Sequence, residues 1–346
     1  MEYQTKPVGF LFTLAVMILL LAACSLESEE TMSRDGIPQD WPDELTVGYF
    51  GDAESSELLK NPEPFQKHFE NELGIPVRIF QGTSYSAVIE AMRSKRVDAM
   101  EVGPFSYLLA VEEAGAEAVA VGCVTLASPA VYDPNLQPHY FSCLFTKKGN
   151  GIESLEDLRG RDFAFVDPAS TSGHLAPKTL LLKSGLDPDK EMNTVFAGSH
   201  PSSLLAVWNG SMEAGATFGR NIFTQAQEGA VEYCGYALDE LHVGLTPEDF
   251  QKRNQNCPEG SIIILAISDP IPETPFAVRQ DLPMSLKQAI QDALLRVKDN
   301  PELVAQIRRW YVDPTQKRDI ERIDHYYNSL REIAALLDLD LNALGE

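Results

Sequence analysis

The run 163–174, Phe-Ala-Phe-Val-Asp-Pro-Ala-Ser-Thr-Ser-Gly-His, holds the residue types best suited to chemistry in this chain. An apolar strand-like stretch enters a loop of three hydroxyl residues, Ser170, Thr171 and Ser172, and Gly173 then opens a periodic apolar segment. The first amides of a helix lack an internal partner, and that end carries partial positive charge. Hydroxyls set there, with Gly173 allowing close backbone approach, form a socket for a tetrahedral oxyanion without any Lys or Arg. A plainer reading fits the same residues: Ser170 or Ser172 only caps the helix. Asp167, His174 and His200 raise a hydrolytic triad, but no nucleophile elbow, Lys-containing phosphate loop or dinucleotide fingerprint accompanies them. An enzyme is disfavoured, and no cofactor is implied.

Placing these residues takes a repeating strand–helix order. Strands are expected at 45–50, 77–80, 97–102 and 118–124, with helices at 64–73, 85–94 and 104–114 between them. A second block has strands at 141–146, 162–166, 194–196 and 213–218 and helices at 174–184 and 202–209. Short apolar strands in this order predict an α/β architecture, with parallel sheets covered by helices on both faces. Residues 262–267 read as a further strand and 269–275 as a Pro-rich crossover. Beyond the first few residues, 276–346 read as helical, with helices at 285–298, 301–311 and 316–337. The chain thus leaves one lobe near Pro138, builds another and returns near Pro272. The expected division is 44–139 plus 272–346 for the first lobe and 140–271 for the second, with a two-segment hinge and a cleft between them.

Composition narrows the partners. With 51 acidic and 28 basic residues the net charge is -23, which argues against nucleic acid and against a polybasic membrane surface. An anion must then be held by short-range, preorganised donors. At the N-terminus, Lys6 precedes an apolar run at 8–21 that ends in Leu21-Ala22-Ala23-Cys24. The run has the length of a secretory core and is short for a bilayer span. Its end resembles the lipobox of bacterial lipoproteins, which implies a leader at 1–23, lipidation of Cys24 and a polar tether at 24–43. An uncleaved anchor helix is the alternative. Cys123, Cys143, Cys234 and Cys257 remain, an even number in an oxidising compartment. Pairing Cys123 with Cys143 and Cys234 with Cys257 closes two short loops, although four free thiols would also fit. Neither Cys nor His shows metal-ligand spacing, so no metal is expected.

Several stretches together resemble the phosphate/phosphite/phosphonate-binding receptors of ABC importers. They are GIESLEDLRGRDFAFVDPASTSGHLAPKTLL, VFAGSHPSSLLAVWNGSMEAGAT, GTSYSAVIEAMRSKRVDAMEVGPFSYLLA and AISDPIPETPFAVRQDLP. The resemblance covers about 45–330 and implies a type II periplasmic-binding-protein fold closing over a phosphorus oxyanion. It places ligand donors at Ser170, Thr171 and Ser172, with Gly173 as the close-approach position. Tyr85 and Tyr107 match cleft aromatics, although either residue also fits a core or helix-face contact. His200 either donates to the anion or caps backbone. Glu213 stands where the family has aspartate, and either meets a protonated or amino-bearing ligand or orients other residues. The partners implied are a small phosphorus oxyanion, ABC permease subunits and, through Cys24, a membrane, for a monomer outside the cytoplasm. A sensor of the same fold signalling to a membrane histidine kinase, with a different oxyanion such as arsenite, is the competing reading. A structural surface lipoprotein is a third.

Overall fold

Alternating and continuous apolar runs become the strands of two sheets in the computed structural model, which describes residues 36–51, 57–125 and 129–336. The leader, Cys24 and most of the tether lie outside the described residues. Residues 36–41 belong to a separate N-terminal unit, in which the Trp41 amide donates to the Pro38 carbonyl at 3.2 Å.

The first lobe is built on β1 (Leu45–Phe50), β2 (Val77–Gly82), β3 (Ala99–Glu101), β4 (Ala116–Val124), β12 (Pro275–Arg279) and β13 (Arg309–Val312). Their order is β13-β4-β12-β3-β1-β2. β1 runs parallel to β2 and β3, while β12 is antiparallel to both β3 and β4. The second lobe holds β6 (Ser142–Lys147), β7 (Asp162–Phe165), β8 (Asn193–Phe196), β9 (Ala214–Phe218) and β10 (Ile262–Ile267), ordered β10-β6-β9-β7-β8. Every residue of β10 is buried, which suits its unbroken apolar run. Both sheets are mixed rather than parallel, because β12 and β13 in the first and β6 in the second run antiparallel to their neighbours. Between the lobes, β5 (His139–Tyr140) pairs antiparallel with β11 (Ile271–Pro272), so the two crossing segments are hydrogen-bonded to each other.

Helices that matter for the cleft are α1 (Glu63–Leu73), α2 (Tyr85–Arg93), α3 (Pro104–Ala114), α4 (Ala176–Lys183), α5 (His200–Trp208) and α6 (Gly219–Gln227). Ser84 caps α2 by accepting from the Ala87 amide at 3.0 Å, and Ser199 caps α5 by accepting from Ser202 at 3.2 Å.

The C-terminal third departs from the helical expectation. Its helix Pro301–Ile307 stops at Arg308, which adopts a left-handed φ of 54°. The chain then extends as β13, where Trp310 and Tyr311 are buried beside β4. Bulky aromatic side chains favour a half-covered strand over another helical turn. Short 3₁₀ turns at Pro314–Gln316 and Ile323–Tyr327 replace the start of the expected last helix, which forms only at Asn328–Leu336. There the Tyr326 hydroxyl donates to the Pro138 carbonyl at 2.7 Å, and Tyr327 donates to the Glu273 carbonyl at 2.9 Å. Those bonds brace both hinge segments and need an irregular backbone.

Cys234 and Cys257 form a disulfide with Cα atoms 5.7 Å apart. The pairing of Cys123 with Cys143 does not occur: both are buried free thiols. Cys123 lies on β4 and Cys143 on β6, in sheets on opposite sides of the hinge. Burial pushes the Cys123 thiol up to about 12 and raises that of Cys143 as well.

Candidate functional site

Five helix starts reach one cavity of about 160 Å³ between the lobes. Its lining includes Tyr85 opening α2, Gly103 just before α3, and Thr171 and Ser172 in the turn leading to α4. Ser199 and His200 at the start of α5 and Phe218 just before α6 complete the set. Each start brings partial positive charge, even where Ser84, Thr171, Ser170 or Ser199 accepts one of the first amides, so their convergence favours a small anion.

The hydroxyl loop is shaped from below. The Leu175 amide donates to the Ser170 carbonyl five residues back, making Thr171–Leu175 a wide π turn of the kind found at functional sites. Ser170 Oγ accepts from the Gly173 amide at 3.0 Å, so the capping role is real. Gly173 has a packing reason: a Cβ there would stand 2.4 Å from Val166 Cβ. Its carbonyl accepts from the Val166 amide at 3.0 Å, tying the loop to the end of β7. Ser172 is anchored through its carbonyl, which accepts from Ser142 Oγ at 2.6 Å.

Thr171 faces the first lobe. Its Oγ1 accepts from the Phe105 amide at 2.8 Å, near the start of α3. A hydroxyl has one hydrogen and two acceptor lone pairs, so this bond leaves the hydrogen to be donated into the cavity. Nearby, Ser106 Oγ donates to the Ala169 carbonyl at 2.7 Å. Ala169 and Leu175 of the second lobe also join the apolar cluster of Phe105 and Leu108 in the first. At the same junction the Tyr85 ring packs on Phe50 with centroids 4.0 Å apart. Burial raises the Tyr85 hydroxyl well above the ordinary tyrosine range, so it remains a donor.

His200 lines the cavity but is buried against Phe218, with Nδ1 3.0 Å from Thr217 Oγ1. Burial pushes its pKa down to about 3, so the ring is neutral at ordinary pH. It is therefore a dipolar neighbour for an anion and carries no charge.

The loop 170–173 carries no Lys or Arg, but cations complete the lining elsewhere around the cavity, at Lys60, Arg220, Arg308 and Arg309. Arg220 grips the buried Glu273 through two bonds of 2.7 and 3.1 Å and lies over the Tyr140 ring. Arg309 pairs with Glu101, whose other oxygen accepts from the Tyr311 hydroxyl at 2.8 Å. Lys60 of the first lobe pairs with Glu228 of the second.

The model of one protein family, described as "ABC transporter, phosphonate, periplasmic substrate-binding protein", matches residues 47–320. The chain belongs to that family. Its two α/β lobes are the type II periplasmic-binding-protein fold, and receptors of this type transport rather than catalyse. Among relatives, the phosphate-import protein PhnD of Mycolicibacterium smegmatis is 32% identical over 60% of this chain and 64% of its own length, so less than two thirds of it is spanned. The phosphonates-binding periplasmic protein of Escherichia coli is 26% identical over 85% of this chain and 78% of its own. The solved structure of PhnD1 from Prochlorococcus marinus, in complex with methylphosphonate, shares the fold with a TM-score of 0.65 at 18% identity. That match covers 86% of this chain and all (100%) of the other.

Four residues that the family resemblance brought forward are absent from the cavity lining: Ser170 and Gly173, which shape the loop from beneath, and Tyr107 and Glu213. Tyr107 donates to Asp324 at 2.7 Å, accepts from the Ala118 amide at 3.3 Å and packs on Tyr327, all inside the first lobe. Glu213 accepts from the Asp162 amide at 3.0 Å and from Arg161 at 2.7 Å, and these bonds hold its carboxyl below the usual range. Glu213 immediately precedes β9, whereas the cavity is lined from the other end of that strand by Phe218. Ligand clefts in α/β folds form at the carboxyl ends of strands, which leaves Glu213 on the wrong side. The cations and Tyr140 had not been singled out in the sequence. Tyr140 carried a usable signal, an aromatic at the hinge. The cations carried none, because their carboxylates lie far along the chain.

Proposed function

We propose that this protein is a lipid-anchored receptor that captures a small phosphorus oxyanion and delivers it to an ABC permease. The cargo is a phosphonate, phosphite or phosphate, held in the cleft between the lobes. The carrying observation is Thr171, whose hydroxyl accepts from the Phe105 amide of the opposite lobe and keeps its hydrogen for a ligand. A ligand on the 170–173 loop meets the Thr171 hydroxyl from the second lobe and the Tyr85 hydroxyl from the first, and closure excludes water and strengthens those bonds. The names of the mycobacterial and enterobacterial relatives, phosphate-import and phosphonates-binding, support the same cargo class. Cys24 behind its small-residue pair supplies the anchor, and the surface beyond the cytoplasm is where such a receptor works.

Calorimetric titration in phosphate-free buffer with phosphate, phosphite, methylphosphonate, 2-aminoethylphosphonate and sulfate tests this reading. Saturable binding of at least one phosphorus ligand is expected. Folded, ligand-stripped protein that takes up none of them would remove the proposed cargo. For the anchor, mass spectrometry of membrane-fraction protein should find a diacylglycerol adduct that a Cys24→Ala variant lacks.

A further inference from the structure

Three side chains of the second lobe form a chain of hydrogen bonds that ends at the cavity. Asn221 Nδ2, on α6, donates to Thr217 Oγ1 on β9 at 3.1 Å and to the His200 carbonyl at 3.1 Å. Thr217 Oγ1 in turn lies 3.0 Å from Nδ1 of the His200 ring, at the start of α5. All three residues are buried.

The direction of each bond follows from what the atoms can do. A carbonyl only accepts, so the Asn221 atom beside the His200 carbonyl is the amide nitrogen, and its two hydrogens serve that carbonyl and Thr217. Asn221 Oδ1 is buried without a partner, so the amide is placed for its donors rather than for its oxygen. Thr217 Oγ1 therefore accepts from Asn221 and has one hydrogen of its own to give. Among the described residues its acceptor is His200 Nδ1. Turned the other way, that hydrogen would be buried without a partner, which folded proteins avoid. Burial keeps the His200 ring neutral, so it bears a single N–H, and with Nδ1 accepting, that N–H is at Nε2. Nε2 has no hydrogen-bond partner among the described residues, yet it is not one of their sealed, unpartnered atoms. It opens on the cavity that His200 lines.

We propose that Asn221 and Thr217 are positioning residues, which hold His200 in the tautomer that points an N–H into the cleft at an ionised oxygen of the ligand. This rests on the proposed function and sharpens it. In the other tautomer Nε2 would turn a bare lone pair to the cavity, and a lone pair repels an oxyanion. Held as it is, His200 adds a third neutral donor to the hydroxyls of Thr171 and Tyr85. Neither Asn221 nor Thr217 lines the cavity, so each acts on the ligand through the ring.

The test reads the ring nitrogens of isotopically labelled full-length protein in detergent by NMR at pH 8. A His200→Asn variant assigns the His200 signals among those of the six histidines. Wild type without ligand should show a protonated Nε2 and an unprotonated Nδ1. Asn221→Asp puts an oxygen where Nδ2 stands, so Thr217 should donate to it and accept from His200 instead. Nδ1 should then carry the proton, and calorimetry should show methylphosphonate and phosphate weakened roughly tenfold. Thr217→Ser keeps the hydroxyl and should keep the wild-type tautomer and affinity. A protonated Nδ1 in neutral wild-type His200 would overturn the inference, whether or not Asn221→Asp folds. So would an Asn221→Asp protein with the wild-type tautomer or undiminished affinity, and in both cases the proposed function stands. Binding of no phosphorus ligand by wild type overturns the proposed function, and with it the anion that this donor serves.

Discussion

The wall of the cleft formed by residues 170–173 carries no charged side chain, whereas the opposite wall carries a buried ion pair flanked by two tyrosines. Around that loop, donors come from hydroxyls and backbone amides, and they are set by bonds spanning a few residues, such as Ser170 to Gly173. On the first lobe, Glu101 and Arg309 are 208 residues apart and meet only because β13 folds back beside β4. One wall is local and neutral, the other long-range and charged. Removing a group from the local wall should therefore affect ligand affinity first, while the long-range wall is bound up with stability.

The sharpest way to break that contrast is Arg309→Met. It leaves Glu101 buried beside Tyr311 with no cation, and chemical denaturation should show a loss of about 3–5 kcal/mol. A loss under 1 kcal/mol would mean that the pair contributes little to the first lobe and that the contrast is misplaced.

A pH series sharpens the same comparison at the second lobe. His200 is held neutral to about pH 3 in the fold, while the unfolded chain protonates it near its ordinary value of 6.5. Between those values the unfolded state binds the extra proton, so stability drains away as pH falls, and above 6.5 the residue contributes no slope. The expected contribution is about 1.4 kcal/mol per pH unit. Denaturation at pH 6, 5 and 4 should therefore give a shallower acid decline in His200→Asn than in wild type. Parallel declines would show that His200 titrates normally.

The smallest effect is expected at Tyr107, which resembled a cleft aromatic in sequence yet bonds Asp324 within the first lobe. Tyr107→Phe should cost about 1 kcal/mol of stability and leave phosphorus-ligand affinity unchanged by calorimetry. A substantial fall in affinity would return Tyr107 to the binding site.

These contrasts also show which features were legible before the fold. The strand at 45–50 announced itself by alternation, that at 262–267 by an unbroken apolar run, and the oxyanion loop by hydroxyls between a strand and a helix, because in each case the cause lies within about ten residues. The strand Arg309–Val312 read as helix because its stabilising neighbour, β4, lies nearly two hundred residues earlier. Arg220 and Glu273 were unreadable for the same reason, being joined only when the hinge places them side by side. Cys123 and Cys143 looked like partners because sequence separation alone cannot say that a hinge runs between them. Glu213 shows a further limit: its neighbours suggested a ligand position, but the direction of β9 decides which end faces the cleft.

The central claim is that Thr171 offers a ligand the hydrogen left over after its oxygen accepts from Phe105. Thr171→Val removes both bonds while nearly preserving shape, and calorimetric titration with the tightest-binding phosphorus ligand of wild type reads the result directly. A hydrogen bond to a charged group contributes about 1.5–3 kcal/mol, so affinity should fall roughly 10- to 150-fold. Unchanged affinity in a folded variant would contradict the account and move the oxyanion site away from the 170–173 loop.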